Sequence, residues 1–474
     1  MDRESPAQAT SCFLNIESKW LVLLTVGVGT FMSALDGSVV NAILPVIQKY
    51  FNAEVATVQW VVTIYLLMVS GLLLSFGRLG DLRGNKNVYV WGFVIFVIGS
   101  ALSGFSPTPG FLITSRAVQA LGAAMLFANS PAILTKTFPG AERGRALGLQ
   151  GTMTYLGLTT GPFLGGWLAN RFGWHSVFFI NVPIGLLATW LSWRTIPNDS
   201  PSERKEQFDL YGAFTFMTGL VILLFALNRG GQWGWLSPLT LGLLSVSLII
   251  LAIFIWIELR TPAPMLDLNL FHNRVFNTAA ISPVLNYIGI YSLLFLMPFY
   301  LIQGRGLTSA QAGLILTAQP LVMAAMAPFA GTFSDHIGAQ IPTTLGMLVM
   351  AGGLFMLSRL TPDSPIVYVV AGLAISGLGS GMFVAPNNSA LMGAAPHNRQ
   401  GIASGVLALA RNVGMVLGVG LTGAVFTTLL AQGQSDNPIT LVHAVDAGLL
   451  FATIMALLAA VTSFARGVDY PKSV

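Results

Sequence analysis

Two side chains of opposite charge lie inside long apolar stretches of this 474-residue sequence. Asp36 lies 16 residues beyond Trp20 in the first stretch, and Arg116 lies about six residues into the fourth. A charged side chain alone in the middle of a bilayer costs about 2.5–3.5 kcal/mol on insertion scales. At about 1.5 Å per helical residue, in a core about 30 Å thick, the two residues reach similar depths. We therefore expect Asp36 and Arg116 to lie together.

A buried carboxyl group beside a guanidinium can bind and release a proton in a controlled way. Burial favours the neutral form of a carboxyl group, whereas a nearby guanidinium favours the charged form. A motion that changes either influence would load a proton on one side of a membrane and release it on the other. We interpret Asp36 as the proton-binding carboxylate and Arg116 as its modulator. The alternative is a fixed ion pair that only joins two helices.

The composition indicates a membrane protein. Apolar residues make up 54% of the chain and charged residues 9%, whereas an average soluble domain carries about 25% charged residues. This excludes a soluble enzyme and, despite the net charge of +5, a nucleic-acid binder. The single cysteine, Cys12, allows no internal disulfide, and the five histidines show no metal-binding spacing. We expect no metal and no cofactor, and the absence of GxxxxGK[ST] argues against ATP as the energy source.

The element that must hold these residues is a membrane-spanning helix, which needs about 20 apolar residues. Fourteen apolar runs meet this length, at residues 20–45, 57–77, 88–106, 110–136, 145–168, 175–196, 209–228, 237–258, 274–302, 310–332, 341–359, 365–392, 400–431 and 441–465. Of the 23 Lys and Arg residues, 16 lie on the side of the two termini, five on the opposite side and two within runs. By the positive-inside rule, both termini are cytoplasmic in a multi-pass protein of the cell membrane.

An internal repeat divides the fourteen spans. The loops at residues 77–84 and 331–338 both read GxxxDxxG at an offset of 254, and Gly157 and Gly161 match Gly414 and Gly418 at an offset of 257. An even number of spans per repeat gives parallel halves around a central cavity, an arrangement typical of transporters that alternate access. The predicted organisation is a cytoplasmic tail (1–19), an N-terminal six-helix bundle (20–196), linkers with inserted spans seven and eight (197–273), a C-terminal six-helix bundle (274–465) and a second cytoplasmic tail (466–474).

Five sequence motifs resemble those of one transporter family. They are the loop Gly77-Arg-Leu-Gly-Asp-Leu-Arg-Gly-Asn-Lys86, the first-span stretch Leu35-Asp-Gly-Ser-Val-Val-Asn41-Ala-Ile-Leu-Pro45, Arg116-x-x-Gln119-x-x-Gly122, the span-five glycines Gly157, Gly161, Gly165 and Gly166 with Pro162, and Trp174-His175 through Asn181 to Gly185. Together they resemble the major facilitator superfamily, and more narrowly its fourteen-span drug:proton antiporters of the EmrB/QacA type. Ser38 and His175 stand where that family usually has Thr and Arg.

The resemblance implies the major facilitator fold, all-α with two six-helix bundles and two inserted helices. It also implies a role for the cytoplasmic loop as a latch that breaks in each transport cycle. The residues of this latch are Gly77, Arg78, Asp81, Arg83, Gly84 and Lys86. In span five, glycines at spacing four allow close helix approach, and Pro162 can bend the helix. The resemblance marks this glycine pattern as an antiporter motif.

Aromatic, amide and sulfur side chains within the spans are candidate walls of a substrate cavity, because such groups suit amphipathic ligands. The candidates are Asn41, Trp60, Tyr65, Gln119, Asn129, Tyr155, Asn286, Tyr287, Tyr291, Gln319, Met382, Asn387, Asn388 and Arg411. For any single residue, the alternative is ordinary helix packing or contact with lipid. For Arg411 we favour a structural or coupling role, because no acidic residue of the second half clearly lies at its depth.

These observations predict a proton-coupled antiporter that exports amphipathic small molecules from the cytoplasm in exchange for protons. We expect a monomer in the lipid bilayer that confers resistance to antibiotics or other toxic compounds. A dedicated exporter of one antibiotic or metabolite is the closest alternative. A membrane sensor that kept the fold but lost transport is an alternative of a different class.

Overall fold

The computed structural model describes residues 16–198, 209–261, 268–395, 400–432 and 438–467, and every regular element in these ranges is helical. The first half consists of α1 (Ile16–Phe51), α2 (Val55–Arg83), α3 (Asn85–Gly104), α4 (Pro109–Thr137), α5 (Gly140–Phe172), the short α6 (Ser176–Phe179) and α7 (Asn181–Thr195). A helical hairpin follows, formed by α8 (Leu210–Trp233) and α9 (Pro238–Glu258).

The second half begins with a 3₁₀ turn, Leu268–His272. Its helices are α10 (Arg274–Phe299), α11 (Ser309–Leu316), α12 (Ala318–Ile337), α13 (Gln340–Leu357), α14 (Ile366–Ala394), α15 (Gln400–Gln432) and α16 (Pro438–Phe464). A π-helical turn at Tyr300–Gly304 extends α10. Thr308 caps α11 and forms a capping box with Gln311, so the chain turns back into the membrane directly after this turn.

Twelve helical stretches of the described chain are long and apolar enough to cross a membrane. They are formed by α1 to α4, α6 with α7, α9, α10, α11 with α12, and α13 to α16. The helices α5 and α8 fall short of this measure, because α5 is rich in glycine and threonine and the apolar part of α8 spans only Tyr211–Leu227. The count of fourteen membrane spans therefore stays a prediction.

The same helix pairs pack together in both halves. In the first half α1 packs on α5, and α4 packs on α2 and α3; in the second half α10 packs on α15, and α14 packs on α12 and α13. Small residues mark the closest crossings. A Cβ atom on Gly122 would meet the backbone of Phe96 on α3, and one on Gly379 would meet the backbone of Met350 on α13. These matched contacts are those expected of an internal repeat.

The two halves meet on the outer side, by which we mean the side opposite Ile16 and Gly467. Here α5 packs on α11, and α2 packs on α15. Gln59 donates to the Val419 carbonyl at 2.8 Å, and Ser309 donates to the Gly166 carbonyl at 3.0 Å. A cavity of about 1170 Å³ opens beyond these contacts, lined by the ends of α1, α2, α11, α15 and α16. We call these contacts the outer seal.

Candidate functional site

Asp36 and Arg116 form a buried ion pair in the first half. Both side chains have no exposed surface, and Arg116 Nη1 donates to Asp36 Oδ2. Two amides complete the shell of the carboxylate, because Gln119 Nε2 donates to Oδ1 at 2.9 Å and Asn181 Nδ2 donates to the same atom at 3.2 Å. The structure thus brings together α1, α4 and α7 around one carboxylate.

Arg116 has further partners that do not depend on Asp36. Its Nη1 also donates to Gln119 Oε1 at 2.7 Å, and its Nε donates to the Val61 carbonyl at 3.2 Å. The guanidinium carbon lies 4.1 Å from the ring centroid of Tyr65, a cation–π contact. Tyr65 is itself held by a hydrogen bond from its hydroxyl to the Ser33 carbonyl at 3.1 Å. The cation therefore keeps partners when the carboxylate becomes neutral.

Local sequence explains how these groups meet. Arg116 and Gln119 are three residues apart on α4 and so share one face of that helix. Asn181 is the first residue of α7, and its amide also donates to Ser100 on α3 at 3.1 Å. Sequence reasoning assigned Gln119 to the cavity wall and gave Asn181 no role. The signal for Asn181 was its place within the Trp174–Gly185 motif.

The loop motif at residues 77–86 supplies one member of a clamp of two asparagines, which we call the Asn85–Asn129 clamp. Asn85 Nδ2 donates to Asn129 Oδ1 at 2.9 Å, and Lys136 Nζ donates to Asn85 Oδ1 at 2.5 Å. Asn129 Nδ2 donates to the carbonyls of Phe76 at 3.1 Å and Met125 at 2.8 Å. Asn129 therefore ties α4 to α2 and α3, and its place on a cavity wall stays a prediction.

The predicted latch is described only in part. The side chains of Arg78 and Asp81 lie outside the described part of the structure. Arg83 is exposed as the last residue of α2, Gly84 has a φ of 90°, and Lys86 is half-buried in the first turn of α3. A positive φ suits glycine, so Gly84 lets the chain reverse between α2 and α3. The latch itself stays a prediction.

A methyl group on Gly80 should destabilise the Asn85–Asn129 clamp. A Cβ there would lie 2.6 Å from Asn85 Nδ2 and closer still to Asn129 Oδ1. We expect Gly80→Ala to lower the unfolding free energy by about 1–3 kcal/mol, a typical cost of overpacking. Thermal unfolding of the purified protein measures this. Gly77→Ala is the matched control, because its Cβ would meet only Ala128 Cβ at 3.9 Å. Equal melting temperatures for the two variants would contradict the prediction.

The glycines of α5 present two faces. Gly157, Gly161 and Gly165 pack against α1, where a Cβ on Gly157 would lie 2.6 Å from the Phe31 carbonyl oxygen. Gly166 packs against the backbone of Ser309 on α11, and the Pro162 carbonyl faces Gly313 of the same helix. One helix therefore touches the segment that carries Asp36 on one face and the second half of the protein on the other.

The remaining cavity candidates of the first half have different surroundings from one another. Asn41 is buried, and its Nδ2 donates to the Gly37 carbonyl at 2.9 Å. The Trp60 ring lies 6.2 Å from that of Phe225 on α8. The Tyr155 side chain is outside the described part of the structure. Trp60 thus packs towards the inserted hairpin.

The candidates of the second half lie on four helices. Buried Asn286, Tyr287 and Tyr291 are on α10, and buried Gln319 is on α12. Arg411 on α15 is half-buried, one turn before Gly414, where a Cβ would lie 2.8 Å from Tyr287 Cβ.

Three candidates on α14 lie nearer its C-terminal end, away from the outer side. Asn387 is buried, where it donates to the Ala279 carbonyl at 2.9 Å and accepts a hydrogen bond from Arg466. Met382 and Asn388 are half-buried. The paired asparagines therefore differ, because Asn387 joins α10, α14 and the end of α16 while Asn388 retains some exposure.

Comparison with known families agrees with this geometry. A profile described as Major Facilitator Superfamily matches residues 26–419 and also residues 279–474. The chain belongs to the major facilitator superfamily. It is therefore a multi-pass membrane transporter and not an enzyme. The second match, which begins in α10, agrees with the repeat seen in the sequence.

Several curated members of the major facilitator superfamily are similar over most of their length. The chain is 37% identical over 422 residues to the riboflavin transporter RibZ of Clostridioides difficile, covering 89% of this chain and 90% of that protein. It is 34% identical to the multidrug resistance protein Stp of Mycobacterium tuberculosis, covering 87% and 76%. It is 30% identical to the tetracenomycin C resistance and export protein of Streptomyces glaucescens, covering 88% and 78%.

Solved structures share the major facilitator fold. An inward-facing bacterial homologue of the human lysosomal transporter Spinster has a TM-score of 0.68 at 14% identity, covering 95% of this chain and 97% of that one. A D-xylose–proton symporter has a TM-score of 0.66 at 15% identity, covering 94% and 97%. At this level of identity the likeness concerns the fold alone.

Proposed function

We propose that this protein is a fourteen-span, proton-coupled antiporter that exports lipophilic drugs or other toxic compounds from the cytoplasm. The observation that carries the proposal is the fully buried pair of Asp36 and Arg116. A buried ion pair is a weak source of stability, so its presence in an apolar core favours a functional role. The names of relatives that act in multidrug, tetracenomycin C and puromycin resistance support export of such compounds.

The contacts of Arg116 suggest how a proton is exchanged. When Asp36 takes up a proton, its attraction for the guanidinium falls, and Arg116 keeps the Gln119 carbonyl, the Val61 carbonyl and the Tyr65 ring. When the proton leaves, Arg116 again neutralises the carboxylate. The glycine faces of α5 then link this change to the second half, because α5 touches both α1 and α11. The outer seal is the contact that we expect to open and close.

A proton gradient provides enough energy for this export. One elementary charge crossing 100 mV is worth about 2.3 kcal/mol, and a tenfold concentration ratio costs about 1.4 kcal/mol. One proton per exported molecule therefore sustains roughly a 50-fold gradient. We propose that the antiporter uses no cofactor and acts as a monomer in the cell membrane, with both termini in the cytoplasm.

The packing of α5 and α8 supports fourteen spans. α5 is 33 residues long and lies along α1, whereas α8 is 24 residues long and packs on α2, α9 and α15. A helix of either length reaches across a core of about 30 Å. The glycines that lower the hydropathy of α5 are the same residues that let it approach α1 closely.

Purified protein in liposomes provides the test. With an acidic lumen, protons that leave through an antiporter should drive a neutral lipophilic dye inwards, and nigericin should abolish this uptake. Dye movement that is independent of the pH gradient would contradict proton coupling. Dye binding without any flux would favour the sensor alternative.

A dedicated transporter of a single metabolite is the second candidate. The observation that favours it is the 37% identity to RibZ, whose name states riboflavin transport. The same liposomes distinguish the two candidates. Saturable riboflavin flux that a panel of antibiotics and dyes fails to inhibit would favour the dedicated transporter, whereas mutual competition would favour broad export.

A further inference from the structure

The second half contains buried hydrogen-bond donors that no described residue satisfies. Three of these donors are Asn286 Nδ2 on α10, Gln319 Nε2 on α12 and Arg411 Nε on α15. Asn286 has no exposed surface and Gln319 is 4% exposed. A buried polar group left without a partner costs about 1–3 kcal/mol, so three of them in one region need an explanation.

The three donors come from helices that are joined by packing of α12 on α14, of α14 on α10 and of α10 on α15. Asn286 and Arg411 lie 12 and 11 residues into their helices, so each is about 15–20 Å from a helix end. Gln319 meets α14 directly, because a Cβ on Gly377 would lie 3.1 Å from Gln319 Cα. One turn further along α14, Ser380 donates to Asn286 Oδ1 at 3.1 Å. Both amides therefore flank the same turn of α14.

The contact with Ser380 also fixes which group of Asn286 remains available. Its oxygen is used by the Ser380 hydroxyl, and so its NH₂ is the free group. Arg411 adds a positive charge one turn before Gly414, where a Cβ would lie 2.8 Å from Cβ of Tyr287, the neighbour of Asn286. Tyr291 follows one turn later on α10 and packs on Gly418. The region thus combines donors and a cation with two aromatic rings.

The second half places few acidic residues near this region. Within residues 274–465 the sequence has only Asp335, Asp363, Asp436 and Asp446. Asp335 lies near the end of α12, Asp363 precedes α14, Asp446 lies in the outer third of α16, and Asp436 is outside the described residues. The carboxylate of Asp36 on the neighbouring α1 is already paired with Arg116, so a lipophilic cation would meet Arg411 here without a free carboxylate. A carbonyl oxygen, in contrast, would satisfy the free N–H groups.

We propose that Asn286, Gln319 and Arg411 form a subsite for the carbonyl groups of the substrate. We call it the donor subsite. It selects planar aromatic compounds that are neutral or anionic and carry carbonyl acceptors, in preference to lipophilic cations. The inference rests on the proposed export of small molecules and names the substrate class of that transport.

Two probes with one ring skeleton test the donor subsite on the full-length protein in nanodiscs. Acridone is neutral and carries a ring carbonyl, whereas 9-aminoacridine is a cation without a carbonyl. We expect acridone to bind at least tenfold more tightly to the unmodified protein, as measured by probe fluorescence. Asn286→Asp and Gln319→Glu each replace a donor by an acceptor of the same size. Each should weaken acridone binding at least tenfold and strengthen binding of the cation.

Asn170→Asp is the matched control, because the same exchange on this exposed side chain at the outer end of α5 should leave both affinities unchanged. The donor subsite would be overturned if the unmodified protein preferred 9-aminoacridine or failed to bind acridone. It would also be overturned if both amide variants kept the preference for acridone. Each of these results would indicate a polar site filled by water only. Binding in nanodiscs needs no proton gradient. Failure of proton coupling in liposomes would therefore not affect the binding result. Failure of the binding prediction would likewise not affect the test of proton coupling.

Discussion

Asp36→Asn should abolish proton-driven accumulation of substrate. The exchange keeps the size of the side chain and removes its ability to bind and release a proton. With one proton per molecule, the accumulation ratio at 100 mV should fall from roughly 50 to one. Substrate exchange between two equal concentrations should persist, because it needs no net proton movement. Dye accumulation and dye exchange in proteoliposomes measure the two quantities.

A second variant separates proton coupling from folding. Asp36→Asn alone leaves Arg116 as a buried charge without its carboxylate, and breaking such a pair costs about 3–5 kcal/mol. Combining Asp36→Asn with Arg116→Gln removes both charges and should restore stability but not accumulation. If the neutral pair transports uphill as well as the unmodified protein, Asp36 and Arg116 are a fixed ion pair only. Asp363→Asn, on an exposed loop carboxylate, is the control and should change nothing.

The depth of charged residues was enough to predict the centre of the site. Asp36 and Arg116 were expected together because a charge within a bilayer needs a partner, and the structure pairs them. Gln119 follows Arg116 by three residues, so helical spacing also predicts its place beside the carboxylate. The roles of these residues in proton transfer stay predictions.

Side chains that depend on helix rotation were not predictable. Asn129 was expected in the cavity because it is an amide in an apolar run, but its partner Asn85 comes from another helix, 44 residues away. Asn181 lies at the start of a span, where a polar residue normally meets water, yet it reaches Asp36. Hydropathy gives the depth of a residue, and only the packed helices give the direction in which it points.

The second large effect that we expect is opening of the outer seal by Gly166→Val. A Cβ on Gly166 would overlap the carbonyl group of Ser309, and backbone cannot move aside as a flexible side chain can. Overpacking costs about 1–3 kcal/mol, which shifts the balance between closed and open forms by about 5–150-fold. Gly313→Val should have the same effect, because a Cβ there would overlap the carbonyl group of Pro162 in the same contact. Transport should fall in both variants, since each turnover needs the seal to close.

Spin labels on the outer rim measure this opening directly. Cys12 is the only cysteine, so Cys12→Ser provides a background in which Lys49→Cys and Ala431→Cys can be labelled. Both positions line the cavity of about 1170 Å³ between the halves and are exposed. Gly166→Val should lengthen the distance between the labels, whereas Gly352→Val should not, because a Cβ on Gly352 meets no atom within 4 Å. An unchanged label distance together with full transport would show that α5 and α11 tolerate the side chain. The glycine face would then have no part in closing the seal, and the link from Asp36 through α5 to the second half would fail with it.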